Sequence, residues 1–66
     1  MAVLKVIEVM ANSSEGWEEA ANNAVTEASK SVKNIKSVYI KEQNATVKNG
    51  KIDDYRVNVK ITFEVN

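Results

Sequence analysis

The side chains able to do chemistry in this chain are mostly carboxylates and amines. The 66 residues include nine acidic and nine basic side chains, with no cysteine and no histidine. Nucleophilic and general acid–base catalysis usually rely on those two missing residue types. The two glycines, Gly16 and Gly50, form no phosphate-binding loop, and a chain without proline lacks the N-terminal proline base of small tautomerases. We therefore expect a protein that is not an enzyme.

Two charged residues are candidates for a functional role. Arg56 is the only arginine, and it is expected on a partly polar strand face next to Gln43. A guanidinium there predicts either an intersubunit salt bridge or a contact to an anion or ligand, and both interpretations stay open. Glu8 interrupts an apolar strand, so it is expected either to pair with a lysine such as Lys5 of a neighbouring chain or to lie at a symmetry axis.

One helix and three strands must position these residues. Residues 13–35 carry the chain's helical hydrophobic period. Residues 3–10 are rich in β-branched side chains and apolar on both faces, which predicts a strand buried on both sides. Residues 37–47 and 53–65 alternate as strands around Asn49-Gly50, a pair that favours a type I′ hairpin turn. The pattern predicts an α+β fold of order β-α-β-β, with a three-stranded antiparallel sheet curled over one helix and a single domain over residues 1–66.

The predicted helix has recognisable ends and a recognisable buried side. Asn12, Ser13 or Ser14 could cap its first N–H groups, and the lysines near its end suit the negative pole of the helix dipole. Trp17 is the one large anchor of the apolar side. Its other members, mostly alanines, are Ala20, Ala21, Ala24, Val25, Ala28, Val32 and Ile35.

A two-residue turn also predicts the strand register. Counting outward from the turn gives the cross-strand pairs Lys48–Lys51, Gln43–Arg56, Ile40–Val59, Tyr39–Lys60, Val38–Ile61 and Ser37–Thr62.

Composition limits the partners. The formal net charge is zero with one arginine, so nucleic acid is not an expected partner. No apolar run reaches the roughly 20 residues that span a bilayer, and no secretory signal pattern is present, which predicts a cytoplasmic protein without a membrane partner. A core this small usually needs a further stabilising feature, such as a disulfide, a bound metal or oligomerisation. Without cysteine or histidine for disulfides or zinc, we expect homo-oligomerisation.

The order of the elements, Lys5-Val-Ile-Glu-Val9, Ser13-Ser-Glu-Gly-Trp-Glu-Glu-Ala20, and Tyr55-Arg-Val57 leading to Phe63 together resemble the dodecin family. The resemblance covers almost the whole chain. It implies a hollow homododecameric shell that binds small molecules or ions. Many dodecins hold paired flavins between subunits.

The resemblance also implies candidate ligand-binding positions, namely Ser37, Glu42, Gln43 and Arg56. In flavin-binding dodecins a tryptophan stacks on the flavin ring and a glutamine hydrogen-bonds it. Those residues correspond to Ser37 and Arg56 here, while Glu42 corresponds to an acidic position that follows the tryptophan. Because serine has no ring to stack, binding of riboflavin or FMN is expected to be weak or absent.

Two further interpretations stay open. Without the stacking tryptophan, the chain resembles a branch of cation-holding dodecins, which implies a structural cation-binding shell with calcium the leading ion. Symmetry is compatible with this, because one carboxylate beside a threefold axis becomes a ring of three. Glu8 is the candidate metal ligand. The chain could also be a genuine flavin store that uses other contacts.

Overall fold

The computed structural model describes residues 2–65 and contains one helix and one sheet. The elements are β1 (Val3–Ser13), α1 (Trp17–Ala28), β2 (Ile35–Lys48) and β3 (Lys51–Val65). The sheet order is β1-β3-β2, and both strand pairs are antiparallel. This arrangement confirms the predicted α+β fold of order β-α-β-β. The predicted domain over residues 1–66 includes Met1 and Asn66, which lie outside the described residues, and it stays a prediction.

The helix is shorter than its hydrophobic period indicated. It begins after Gly16 with no side-chain cap, so the predicted capping by Asn12, Ser13 or Ser14 is wrong. The Ser13 hydroxyl instead accepts a hydrogen bond of 2.9 Å from the Glu15 N–H. The helix also ends before Ile35, which belongs to β2. The hydrophobic period continues past the end of the helix because the turn after Ala28 still directs Val32 against the core. The predicted helix was therefore too long.

The core lies between α1 and one face of the sheet. Val57, Val59 and Ile61 of the central strand are fully buried against Ala20 and Ala24, as the alternation of β3 and the small residues of α1 predicted. Small side chains on the helix let its backbone lie close to the sheet. We call this side of the sheet the helix face.

The hairpin turn is formed as predicted. Asn49 has φ 54° and Gly50 has φ 76°, the positive values that a type I′ turn requires. Lys48 therefore pairs with Lys51, and four other predicted pairs are also confirmed: Ile40–Val59, Tyr39–Lys60, Val38–Ile61 and Ser37–Thr62.

One predicted pair is wrong, because it lies between two of the three register shifts of the hairpin; the third shift lies between Ile35 and Ser37. Asp53 is an extra residue in β3, and Lys41 is an extra residue in β2. Between these two bulges the pairing is displaced by one residue, so that Gln43 lies opposite Val57 and Asn44 lies opposite Arg56. A shift of one residue moves a side chain to the other face of the sheet.

Candidate functional site

The candidate site is the sheet face that points away from α1, which we call the outer face. It consists of the residues that alternate with the buried core positions, because cross-strand partners share a face. Its members are Leu4, Val6, Glu8, Met10 and Asn12 of β1, Arg56, Asn58, Lys60 and Thr62 of β3, and Ser37, Tyr39, Glu42 and Asn44 of β2.

Part of the outer face is apolar and exposed. Leu4, Val6, Met10 and Tyr39 are 55%, 57%, 63% and 66% exposed. They come from the strand whose sequence predicted burial on both sides and from the strand at the opposite sheet edge. A single chain therefore covers only one side of its sheet, and these side chains stay in contact with water.

A polar cluster lies beside these apolar residues. The Glu8 carboxylate accepts a hydrogen bond of 2.9 Å from the Asn58 amide and lies 3.3 Å from the Lys41 ammonium. Lys41 is the bulge residue of β2, and its side chain reaches across β3 to β1. The Asn58 amide, then Lys41 and the nearby charge of Lys60, hold the pKa of Glu8 below its ordinary value.

The predicted partner of Glu8 is on the other side of the sheet. Lys5 pairs with Phe63 and belongs to the helix face, so within one chain it cannot contact Glu8. Pairing with Lys5 of a neighbouring chain stays a prediction. Lys41 was not predicted as a partner of Glu8, because β3 lies between the two strands that carry these residues.

Asn58 leaves one acceptor without a partner. Its amide nitrogen donates to Glu8, but its carbonyl oxygen Oδ1 is buried and has no hydrogen-bond partner among the described residues. A buried acceptor that stays unpaired is unfavourable. Glu42 lies directly across the ladder from Asn58. Cross-strand pairing therefore places the exposed residue Glu42 beside Asn58.

Arg56 lies between two asparagines. Its Nε donates a hydrogen bond of 3.2 Å to Oδ1 of Asn12 on β1, and its partner on β2 is Asn44. The side chain is half-buried. Among residues 2–65, no carboxylate oxygen lies within 4.0 Å of the guanidinium.

The structure brings most of the predicted site residues together. Ser37, Glu42, Arg56 and the candidate metal ligand Glu8 share the outer face. Gln43 does not join them, because the bulges turn it to the helix face opposite Val57, where it is exposed. The predicted binding roles of these residues stay predictions.

Sequence analysis missed the three asparagines of this face, Asn12, Asn44 and Asn58. Asn58 could have been found, since it is two residues from Arg56 on a strand with nearly perfect alternation. Asn12 was assigned to the helix start, and Asn44 was given no site role; the displaced pairing between the bulges places it opposite Arg56.

No single chain forms a complete metal site within the described range. Residues 2–65 contain no group of three or more acidic side chains placed to hold an ion. The same range has no helix of the length and apolar character needed to cross a bilayer.

Comparison with known proteins identifies the family. The family profile described as Dodecin matches residues 3–66. A relative named calcium dodecin, from Mycobacterium tuberculosis, is 34% identical over 65 residues, which cover 98% of this chain and 92% of that protein.

Solved structures give the same result. Calcium dodecin from M. tuberculosis, described as calcium chelating with a novel calcium-binding site, is 37% identical with a TM-score of 0.81, covering 97% of this chain and 91% of that one. The tt0972 protein from Thermus thermophilus is 26% identical with a TM-score of 0.94, covering 100% of this chain and 97% of that one. The chain belongs to the dodecin family.

Proposed function

We propose that this chain assembles into a homododecameric dodecin shell that holds a hard divalent cation, calcium above all, and that binds flavin weakly. The observation that carries the proposal is the outer face, where exposed apolar residues lie beside carboxylate and amide oxygens. Binding, and not catalysis, is the proposed role, and a cytoplasmic location remains a prediction.

Assembly is supported by the two-sided apolar character of β1. Its residues Leu4, Val6 and Met10 are more than half exposed, although the hydrophobic effect favours their burial. A 66-residue chain has little other means of adding stability. A neighbouring copy would cover this side.

Calcium is supported by the chemistry of the available ligands. Ca²⁺ prefers six to eight oxygens from carboxylates, amide carbonyls and water. Glu42, Glu8 and the Asn58 carbonyl oxygen are such groups on one face, and the Asn58 oxygen has no other partner among the described residues. One chain supplies too few carboxylates, so the proposed site draws ligands from more than one chain. For Glu8 to take part, its ion pair with Lys41 would open.

Identity to a named calcium dodecin also supports this choice. The two M. tuberculosis comparisons reach 34% and 37% identity, against 26% for the T. thermophilus protein.

Flavin is the less favoured ligand because the stacking position has no ring. Ser37 lies on the outer face opposite Thr62, and the aromatic side chain nearest to it along the outer face, Tyr39, is 66% exposed. A flavin store built on other contacts is the alternative, and a yellow protein with bound flavin would favour it.

Calcium titration of metal-free protein tests the proposal. After dialysis against EDTA, the assembled protein is titrated with Ca²⁺ by calorimetry, and its mass is followed by native mass spectrometry. Binding is expected in the wild type and is expected to be strongly reduced in Glu42→Gln and Glu8→Gln. Glu27→Gln is the matched control, because this carboxylate is 70% exposed on α1.

Two results would contradict the proposal. Absence of calcium binding by the intact dodecamer would reject the cation, and a stable monomer would reject the shell. Equal loss of binding in Glu27→Gln would show that the acidic residues act only through overall charge.

A further inference from the structure

The Arg56 guanidinium lacks a counter-charge within its own chain. It is half-buried in the middle of the central strand, and its one hydrogen bond to a side chain in the described range uses Nε. The acidic side chains in that range come no closer than 4.0 Å. The Arg56–Asn12 hydrogen bond is exposed, so the guanidinium is accessible to a further acceptor.

Some charged groups of the sheet do have partners. Glu8 has both an amide donor and an ammonium group as partners. Lys36 and Glu64 form an ion pair of 3.5 Å near the end of the sheet. Lys60 and Glu42 on the outer face, like Arg56, belong to no ion pair among the described residues, but both are exposed, whereas Arg56 is only partly exposed.

The neighbours of Arg56 orient it without neutralising it. Asn12 accepts from Nε, which leaves both terminal nitrogens of the guanidinium free to donate to a further acceptor. Asn12 is itself held from the other side, since Asn23 of α1 donates a hydrogen bond of 3.0 Å to its backbone carbonyl oxygen. Asn44 on the opposite strand offers two more N–H donors. Three polar side chains thus form one row across all three strands.

We propose that Asn12, Arg56 and Asn44 form a binding site for a small oxyanion, a phosphate or carboxylate group of a soluble ligand. Two terminal guanidinium nitrogens match the two oxygens of such a group in a bidentate pair. The flanking amides would donate to its remaining oxygen atoms. The site is separate from the proposed cation ligands, whose chemistry is acidic.

Phosphate binding tests this site. Equilibrium dialysis with radiolabelled inorganic phosphate is run in EDTA, so that calcium phosphate cannot form and the result is independent of the cation proposal. The wild type is expected to bind phosphate. Arg56→Gln is expected to lower the affinity by about tenfold to a hundredfold, the usual range for losing charge-assisted hydrogen bonds. Arg56→Lys should also bind phosphate more weakly, because an ammonium group cannot form a bidentate pair with two oxygens.

Lys60→Gln is the matched control. It removes one positive charge from the same strand and the same face, four residues from Arg56, and its phosphate affinity is expected to stay close to that of the wild type. An equal loss in Lys60→Gln would show that phosphate responds only to the general charge of the face, and the proposal would be overturned.

The alternative occupant is a carboxylate from a neighbouring copy. If such a carboxylate occupies the site, the wild type should bind no phosphate and the Arg56→Gln variant should lose its oligomeric state. These two results together would overturn the proposal. If Arg56→Gln disassembles although the wild type binds phosphate, Asn44→Asp decides the question. That variant adds an internal carboxylate beside the guanidinium, so it should stay assembled and lose phosphate binding, and retained binding would reject the site.

Discussion

The two faces of this sheet are formed by the same three strands but differ in how far their apolar side chains are buried. On the helix face, Val57, Val59 and Ile61 are fully buried by alanines of α1. On the outer face, Val6 and Met10 of the neighbouring strand are 57% and 63% exposed. Hydrophobicity alone does not distinguish the two sets. The described part of the chain contains one helix, and it covers the middle of one face, while Val3 at the margin of that same face is 57% exposed.

The central strand shows the difference most clearly. Its odd-numbered residues from 55 to 63 pack toward the helix, while Arg56, Asn58, Lys60 and Thr62 line the outer face. The helix face is closed beneath α1, although Val3 at its margin is 57% exposed, and the outer face combines apolar, acidic and cationic groups that are available to a partner. The stability of the single chain is therefore concentrated on one side and its binding capacity on the other.

The largest effect is expected from the closed face. Ile61→Ala removes a fully buried side chain and should lower the free energy of unfolding by about 2–5 kcal/mol, the range for such truncations in cores. Urea unfolding at a fixed protein concentration measures it. The control Val47→Ala changes a side chain that is 68% exposed near the hairpin turn and should stay within about 0.5 kcal/mol of the wild type. Similar losses in both variants would remove the distinction between buried and exposed positions.

A charge on the open face should act on assembly. Met10→Asp places a carboxylate in the apolar part of the outer face, where burial against a neighbouring copy would strip it of water. We expect the variant to sediment as smaller species than the wild type. Asn22→Asp makes the same change in charge on the exposed side of α1 and should leave the oligomer intact. Normal assembly of Met10→Asp would show that the outer face is not an interface.

Adding a ring to the open face should increase flavin affinity. Ser37→Trp supplies the stacking group that the family resemblance implies for this position, and a stack is worth about 1 to 3 kcal/mol, or roughly 5- to 150-fold in affinity. Riboflavin fluorescence quenching measures the gain. Because Arg56 adds bulk and charge where flavin-binding relatives have glutamine, Ser37→Trp with Arg56→Gln should bind more tightly than the single variant. Tight binding by the wild type, or no gain in an intact double variant, would contradict the proposed place of Ser37.

The smallest effect concerns the polar cluster of the open face. The pKa of Glu8 is lowered below its ordinary 4.5, chiefly by the Asn58 amide and then by Lys41. A lowered pKa in the folded state means that the unfolded chain binds the proton more readily. The contribution of Glu8 to stability should be complete above pH 4.5 and disappear as the pH falls through the lowered pKa.

Comparison with Glu8→Gln in calcium-free buffer measures this contribution. Near neutral pH the wild type should be slightly the more stable of the two, and the difference should vanish in acid. A difference that is independent of pH would show that the Glu8 contacts do not depend on its charge.

Local patterns in the sequence were sufficient to predict the elements and most of their pairing. Strict alternation in β3 and the helical spacing of Ala20, Ala24 and Ala28 are local patterns, and each was enough to predict which side is buried. Asn49-Gly50 determined the turn, because few other residue pairs tolerate its positive φ values. The pairing next to the turn, and the pairing from Ser37 to Ile40, followed from this turn.

The composition of the outer face depends on the pairing and packing of the strands, and local patterns did not predict it in detail. The bulges at Asp53 and Lys41 compensate each other, so counting residues gave the correct register next to the turn and from Ser37 to Ile40 and the wrong one between them, and a further shift displaces Ile35. The displacement between the two bulges removed Gln43 from the candidate site and placed Asn44 beside Arg56. Bulges depend on how the twisted strands pack over α1 and on the pairing across the sheet, which no local pattern of apolar residues reports.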